Sequence, residues 1–304
     1  MDKMKFMKTE KRVLKKESEK ESETEYVIQA ENVDYTYEGS KTKALDQLSL
    51  NIRKGKKVAV MGGNGSGKST FFLCLNGIRR PESGRILIDG KPIEYTKKGL
   101  LDVRRKVGIV FQNPDEQLFS ASVYEEISFG ILNLGADEET AEKAVRQVID
   151  ELGLSAFQEQ PTHALSGGQK KQVAIADILV MHPEVMILDE PAAALDMKHT
   201  KKVNEMIECL TKKGITVLIA THDIEYACEW ADEIVLMHEG KVIRHAETME
   251  ICQDEEALKE AELEIPAVIR MYRKLTEKKI LSDEEEPPRT WVELESRLTR
   301  TMIK

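Results

Sequence analysis

No apolar run in this chain approaches the roughly 18 residues that a membrane-spanning helix needs. The start, MDKMKFMKTEKR, lacks the apolar core of a secretory signal, so no leader is expected. Cysteine is scarce, and Cys74, Cys209, Cys228 and Cys252 form no CxxC pair. That spacing suits a reducing compartment rather than a disulfide frame or a zinc site. A basic surplus is missing too: 45 Lys and Arg face 54 Asp and Glu, for a formal net charge of −9. A nucleic-acid partner is therefore not expected, because such proteins carry a basic footprint. No internal repeat is present. What remains is 304 residues, 41% hydrophobic and 33% charged, enough for one large α/β domain with a smaller appendage.

The first 25 residues are nearly all charged or polar and read as a solvated arm; a basic arm brushing an anionic membrane surface is the sharper alternative. From Tyr26 the texture changes. VIQAENVDYTY and ALDQLSLNI alternate with period two and predict antiparallel strands. KKVAVM, RRKVGIVFQ, VMILD, TVLIA and EIVLMHEGKVI predict strands, most of them buried on both faces. Residues 121–160 and the segment SGGQKKQVAIADILVMH predict helices, the latter capped by Ser166. Strands alternating with helices imply a largely parallel sheet covered on both sides. Residues 248–281 read as helical and charged, and the tail from Ser282 holds an acidic run, Asp283 to Glu286, then a short amphipathic stretch.

Three patterns carry chemistry. Gly62-Gly63-Asn64-Gly65-Ser66-Gly67-Lys68-Ser69 fits a phosphate loop between a strand and a helix. Its glycines let successive N–H groups curl around phosphate oxygens, and the helix start adds positive potential. Lys68 would reach the outer phosphates and Ser69 would ligate Mg²⁺. The strand VMILD ends in two adjacent acids: Asp189 can hold an Mg²⁺-bound water, and Glu190 can polarise an attacking water as general base. A divalent cation would relieve their repulsion. Finally, Leu165-Ser166-Gly167-Gly168-Gln169 leaves a capped helix start bare, open to an anion.

Over residues 26–280 these motifs, with Gln112 in VFQNP, Leu195-Asp196 and His222 in ATHD, stand in one order that resembles the nucleotide-binding subunits of ATP-binding cassette (ABC) transporters. The resemblance implies a P-loop NTPase fold of the ABC type. It has a mixed, largely parallel core sheet, an antiparallel β subdomain, an α-helical signature subdomain at about 114–182 within a cassette at 26–247, and a small helical C-terminal domain at 248–281 followed by a tail at 282–304. It implies ATP and Mg²⁺ as ligands and a head-to-tail dimer. In such a dimer Ser166, Gly167, Gly168 and Gln169 act on the partner's nucleotide, and Asp196 lies at the interface. ATP would meet Gly62, Asn64, Gly65, Ser66, Gly67, Lys68, Ser69 and Thr70 of its own subunit. Tyr37 would stack on adenine, with Tyr35 two residues away as the rival ring. Gln112 would sense Mg²⁺ and the water, and His222 would contact the outermost phosphate and support Glu190.

ILIDGKPIEYTKKGL, FQNPDEQLFSASVYEEISFG and LEIPAVIRMYRKL are similar to the ATPases of energy-coupling-factor importers, most of all the cobalt/nickel CbiO type. The resemblance implies a transmembrane coupling subunit, a separate membrane subunit that captures the substrate, and a place on the cytoplasmic face of the membrane. A vitamin importer's ATPase, as half of a heterodimer, is the alternative; a soluble cassette protein is disfavoured by the single cassette and the absence of a coiled-coil insertion. Three departures stand out. Ala192 lacks the hydroxyl that relatives carry, Ala194 replaces a residue free to adopt positive φ, and Asp177 stands where relatives have glycine, a carboxylate that needs solvent or a partner.

Overall fold

The computed structural model describes residues 25–282 and 286–302. The charged arm lies outside this range except for Glu25, as do Asp283, Glu284 and Glu285 of the acidic run.

Two sheets form the frame. In the first, β1 (Tyr26–Thr36) pairs antiparallel with β2 (Lys43–Arg53) on one side and β4 (Ser83–Ile88) on the other, and β5 (Lys91–Pro92) closes the edge. The second holds β3 (Lys57–Met61), β6 (Val107–Val110), β7 (Val185–Asp189), β8 (Thr216–Ala220), β9 (Glu233–His238) and β10 (Lys241–Glu247) in the order β10-β9-β3-β8-β7-β6. Strands β9, β3, β8, β7 and β6 run parallel, and β10 returns antiparallel through Glu239 and Gly240, both at positive φ.

The parallel strands are buried on both faces, as their unbroken apolar runs require. Along β7, Val185 and Ile187 join the core shared with the antiparallel sheet, while Met186 and Leu188 face the helical side. β3 and β8 alternate in the same way, with Val58, Val60 and Leu218 on one side and Ala59, Met61 and Ile219 on the other. Phe71 and Phe72 of α1 (Lys68–Leu75) lie in the core next to the antiparallel sheet. A helix that the periodicity does not announce, α2 (Lys97–Lys106), is capped by Thr96, whose hydroxyl accepts from Gly99 N. It is mostly charged and buries only Gly99 and Val103, which leaves little apolar signal to read.

The helical segment contains α3 (Val123–Asn133), α4 (Glu138–Leu152) and α5 (Gly167–Leu179). Asp137 caps α4 at its start and Gly153 closes it at φ +66°, while Ala141, Val145, Val148, Ile149 and Leu152 form its buried stripe. Beyond β7 come α6 (Met197–Lys212) and α7 (Ile224–Trp230). The chain then forms α8 (Thr248–Cys252), α9 (Glu255–Glu260), α10 (Ala267–Glu277) and α11 (Trp291–Met302). This C-terminal segment ties back to α7: Arg289 Nε donates to Cys228 O at 2.8 Å, and Glu225 Oε1 accepts from Ala267 N at 2.5 Å.

Asp177, on α5, is half-buried where α3 comes close. A β-carbon on Gly130 of α3 would lie 3.4 Å from Asp177 O, so the two helices meet at backbone distance. Gln117 Nε2 donates to Asp177 Oδ2 at 3.0 Å. Burial pushes the Asp177 carboxyl up to about 7, against the pull of the Gln117 hydrogen bond and with a smaller push from Glu126. The folded protein therefore holds this proton more tightly than the unfolded chain does. Its contribution to stability is lost as the pH rises from about 4 to about 7. Asp177→Asn keeps the acceptor and removes the charge. Thermal melts should show it about 1–3 kcal/mol more stable than the parent at pH 8, partial solvent access trimming the full value, with the gap closing toward pH 4. An unchanged gap across that range would sink the assignment.

Candidate functional site

Four neighbouring parallel strands end side by side, and each delivers one part of the site. β3 runs into the glycine loop at Gly62, β8 is followed by Thr221 and His222, β7 ends in Asp189, and β6 leads through Phe111 to Gln112. The register holds the ends level: Val60 lies opposite Ala220, Asp189 opposite Ala220, and Val110 opposite Leu188. A crevice beyond the carboxyl ends of parallel strands is where this class of sheet binds ligands. The cavity here measures about 710 Å³.

The loop from Gly62 to Lys68 needs its glycines. Gly62 has φ +147°, and a β-carbon there would lie 2.0 Å from Met237 O on β9. Gly67 caps α1 at φ +104°, and a β-carbon would lie 2.6 Å from Ala44 O. These contacts hold the loop against β9 and β2, and Gly240 N adds a hydrogen bond to Ser66 O at 3.0 Å. Lys68 Nζ folds over the loop and donates to Gly62 O at 2.7 Å and Gly63 O at 3.0 Å. Burial lowers its pKa, opposed by the charges of Glu190, Asp189 and Glu262. Asn64, Gly65, Ser66, Ser69 and Thr70 line the same cavity. Tyr37 sits one residue beyond β1, lines the cavity and shares a 3.1 Å hydrogen bond with Thr70 Oγ1. Tyr35 instead packs on the core beside the antiparallel sheet and meets the Tyr37 ring edge-on at 5.1 Å, so Tyr37 is the ring that faces the cavity.

Asp189 is 9% exposed at the strand end. Glu190 leaves strand geometry at φ +45°, with its N–H on Ala220 O at 3.0 Å. Its carboxylate oxygens lie 3.0 and 3.1 Å from His222 Nδ1. Gln112 completes that wall of the cavity. The following turn contains Ala194 at φ +59°, a conformation that costs a residue with a β-carbon about 1–2 kcal/mol.

Ser166, Gly167, Gly168, Gln169 and Asp196 are not part of this cavity. Ser166 and Gln169 form a reciprocal cap on α5: Ser166 Oγ accepts from Gln169 N at 3.3 Å, and Gln169 Oε1 from Ser166 N at 2.9 Å. Gly167 is open, and a β-carbon there would have nothing within 4 Å, whereas a β-carbon on Gly168 would lie 2.2 Å from His199 Cδ2 of α6. Asp196 caps α6, accepting from His199 N at 2.8 Å. Its neighbour Met197 is 89% exposed.

A larger cleft of about 900 Å³ lies elsewhere, lined by β1, β2 and β10. Its two basic groups are already taken by Glu233, which meets Arg53 at 3.1 Å and His245 at 2.8 Å, so it presents no concentration of open donors. The smaller cavity is also lined by Glu262, just beyond α9. A β-carbon on Gly63 would lie 2.1 Å from Glu262 Oε2. No motif could flag this acid, because it arrives from two hundred residues away along the chain and stands at φ +60° in an irregular turn. A carboxylate at a phosphate loop opposes a polyphosphate anion. Glu262→Gln should bind ATP about two- to fivefold more tightly at low salt, the gain shrinking in 0.5 M salt. Titration with a fluorescent ATP analogue tests this, and weaker binding by the variant would count against it.

Comparisons with known proteins show the family and the fold. Residues 45–193 match the family described as ABC transporter. The chain is 43% identical over 253 residues to the energy-coupling factor transporter ATP-binding protein EcfA of Methanocaldococcus jannaschii, covering 83% of this chain and 90% of that protein. The solved structure of cbiO1 from Clostridium perfringens, described as part of the ABC transporter complex cbiONQ, superposes with a TM-score of 0.70 at 42% identity, covering 83% of this chain and 99% of that one. The cassette MJ0796, solved as a post-hydrolysis dimer with ADP and Pi, superposes with a TM-score of 0.66 at 29% identity, covering 73% and 98%. With its fold and these relatives in agreement, the chain belongs to the ABC transporter family as an ATP-hydrolysing subunit of the energy-coupling-factor type.

Proposed function

We propose that this ATPase powers import of a transition-metal ion, cobalt or nickel, working as a head-to-tail dimer on the cytoplasmic face of the membrane. The observation that carries the catalytic part is the convergence of the phosphate loop, Gln112, Asp189, Glu190 and His222 at four level strand ends. Lys68 and the loop N–H groups hold the phosphates, and Tyr37 offers its ring to the adenine. Ser69, Gln112 and Asp189 present oxygen donors in one cavity, too few for an all-protein cage. That suits Mg²⁺, which keeps waters and phosphate oxygens as ligands and neutralises phosphate charge when bound. Glu190, held by His222, is the general base for the attacking water.

The dimer reading rests on what lies outside the cavity. Ser166 and Gly167 form an exposed helix start, and Asp196 is flanked by the exposed Met197. Neither lines this chain's own cavity, which suits groups that act on a partner's nucleotide. Beside the Gln112 loop, Phe119 and Phe129 pack edge to face at 4.9 Å while 67% and 48% exposed. An exposed aromatic pair of this kind fits an apolar segment of the membrane coupling subunit. Among the described residues no helix is long and apolar enough to cross a membrane. The cargo reading rests on the likeness to cbiO1. In this arrangement the cargo meets the membrane subunits and never this chain.

Glu190→Gln should still bind ATP but lose turnover by about 10²- to 10⁴-fold. Cells dependent on that variant should lose uptake of labelled cobalt or nickel. A near-parental ATPase rate would remove Glu190 from its role, and lost vitamin uptake with intact metal uptake would replace the cargo.

The head-to-tail arrangement has its own test. Mixing subunits carrying Ser166→Arg with subunits carrying Lys68→Ala creates one composite site free of both lesions, so part of the ATPase activity should return. No recovery after proven subunit exchange would count against the arrangement.

A further inference from the structure

A buried cation sits behind the nucleotide cavity. Lys171, on α5 just past the Ser166 cap, is 2% exposed. Its Nζ donates to Phe111 O at 3.0 Å and to Gln112 O at 2.6 Å. No ion pair of Lys171 occurs among the described residues. A buried ammonium without a paired carboxylate is costly. A neutral side chain of the same length would fill this space at lower cost, so the charge needs another explanation.

The surroundings supply one. The loop from Phe111 to Gln117 hangs on α5 at several points. Gln117 Oε1 accepts from Phe111 N at 3.4 Å, and its Nε2 donates to Ala174 O and to Asp177 Oδ2, both at 3.0 Å. Lys170 Nζ reaches Asp115 Oδ1 at 2.5 Å. The deepest of these ties is Lys171, and it grips the backbone of Gln112 itself. The same helix presents Ser166 and Gly167 at its start.

We infer that Lys171 is a positioning residue that fixes the Gln112 carbonyl to the signature helix, so that Gln112 in one ATP site and Ser166 in the other move as one body. This rests on the roles proposed for Gln112 and Ser166. When α5 shifts to meet the partner's nucleotide, the two charge-assisted hydrogen bonds carry the Gln112 backbone with it. The link is built into one helix and needs no longer path through the core.

The test uses the full chain assembled with its second ATPase subunit. Lys171→Met keeps the length and removes the donors; Lys171→Gln keeps one donor pair. The Met variant should keep its ATP affinity and KM within about twofold while kcat falls about tenfold or more, and the Gln variant should recover part of the loss. In the Gln112→Ala background, Lys171→Met should add little, because the group it positions is gone. A Met variant with parental kcat overturns the proposal, and so does one whose kcat, KM and melting temperature all deteriorate together, which marks a merely structural lysine. Full additivity with Gln112→Ala overturns it as well. A parental rate for Gln112→Ala alone overturns the reading of Gln112 on which the proposal rests, and thereby separates the two failures.

Discussion

Two neighbouring carboxylates close a strand that is buried on both faces, and the rest of the site accommodates that constraint. Val185 to Leu188 are fully buried, so Asp189 and Glu190 emerge together from an apolar wall. Side by side in a regular strand they would share one environment and repel each other. The chain avoids this by breaking strand geometry at Glu190, whose φ of +45° is rare for a residue with a side chain. Asp189 stays at the strand end, toward the phosphate loop. Glu190 is handed to His222, which comes from the adjacent strand end. Strain of this kind persists only where surrounding structure enforces it. Here the enforcing group is Ala220 O, which accepts the Glu190 N–H and keeps the ladder intact through the distortion. The two acids are thereby placed in different surroundings before any ligand arrives.

The same sheet explains why the other parts stay in place. A phosphate loop is a backbone device, and its shape depends on what presses against it. Met237 O and Ala44 O occupy the space that side chains at Gly62 and Gly67 would need. Those contacts come from β9 and from the start of β2, so both sheets clamp the loop. Lys68 spans the loop with no carboxylate pair among the described residues, and its partners are carbonyls at the loop's own start and the Ser66 hydroxyl. Neutral carbonyls yield a lysine to an incoming phosphate more readily than a paired acid does, because the phosphate brings the stronger charge.

Much of this was legible in the sequence because it is local. The strand, glycine loop and helix around Lys68 sit within about twenty consecutive residues, and the motif carries its own setting. The doubly buried strands announced themselves as unbroken apolar runs. The Ser166 cap was legible for the same reason. Ala194 stands in for a residue free to adopt positive φ, and its own φ is +59°. Non-local features stayed hidden. Glu262 reaches Gly63 only through tertiary packing, the Lys171 clamp depends on where β6 ends relative to α5, and α2 carries too little apolar surface to show a period. Asp177 shows the middle case. Its need for a partner followed from residue type, but the partner, Gln117, is sixty residues away.

The two glycines after Ser166 illustrate how one sequence signal can have two physical causes. Read from the sequence, both clear the helix start for an anion. Only Gly167 has open space around it. Gly168 lies against the imidazole of His199, whose backbone N–H and ring nitrogen are both held by Asp196. A side chain at Gly168 would collide with that imidazole and so disturb the cap of α6. The starts of α5 and α6 are therefore one packed unit, and Ser166 and Asp196 keep a fixed spacing. Both are exposed, on the surface proposed to meet the second subunit. A partner that met one of them would meet the other in the same geometry, with no need to order two separate loops on arrival.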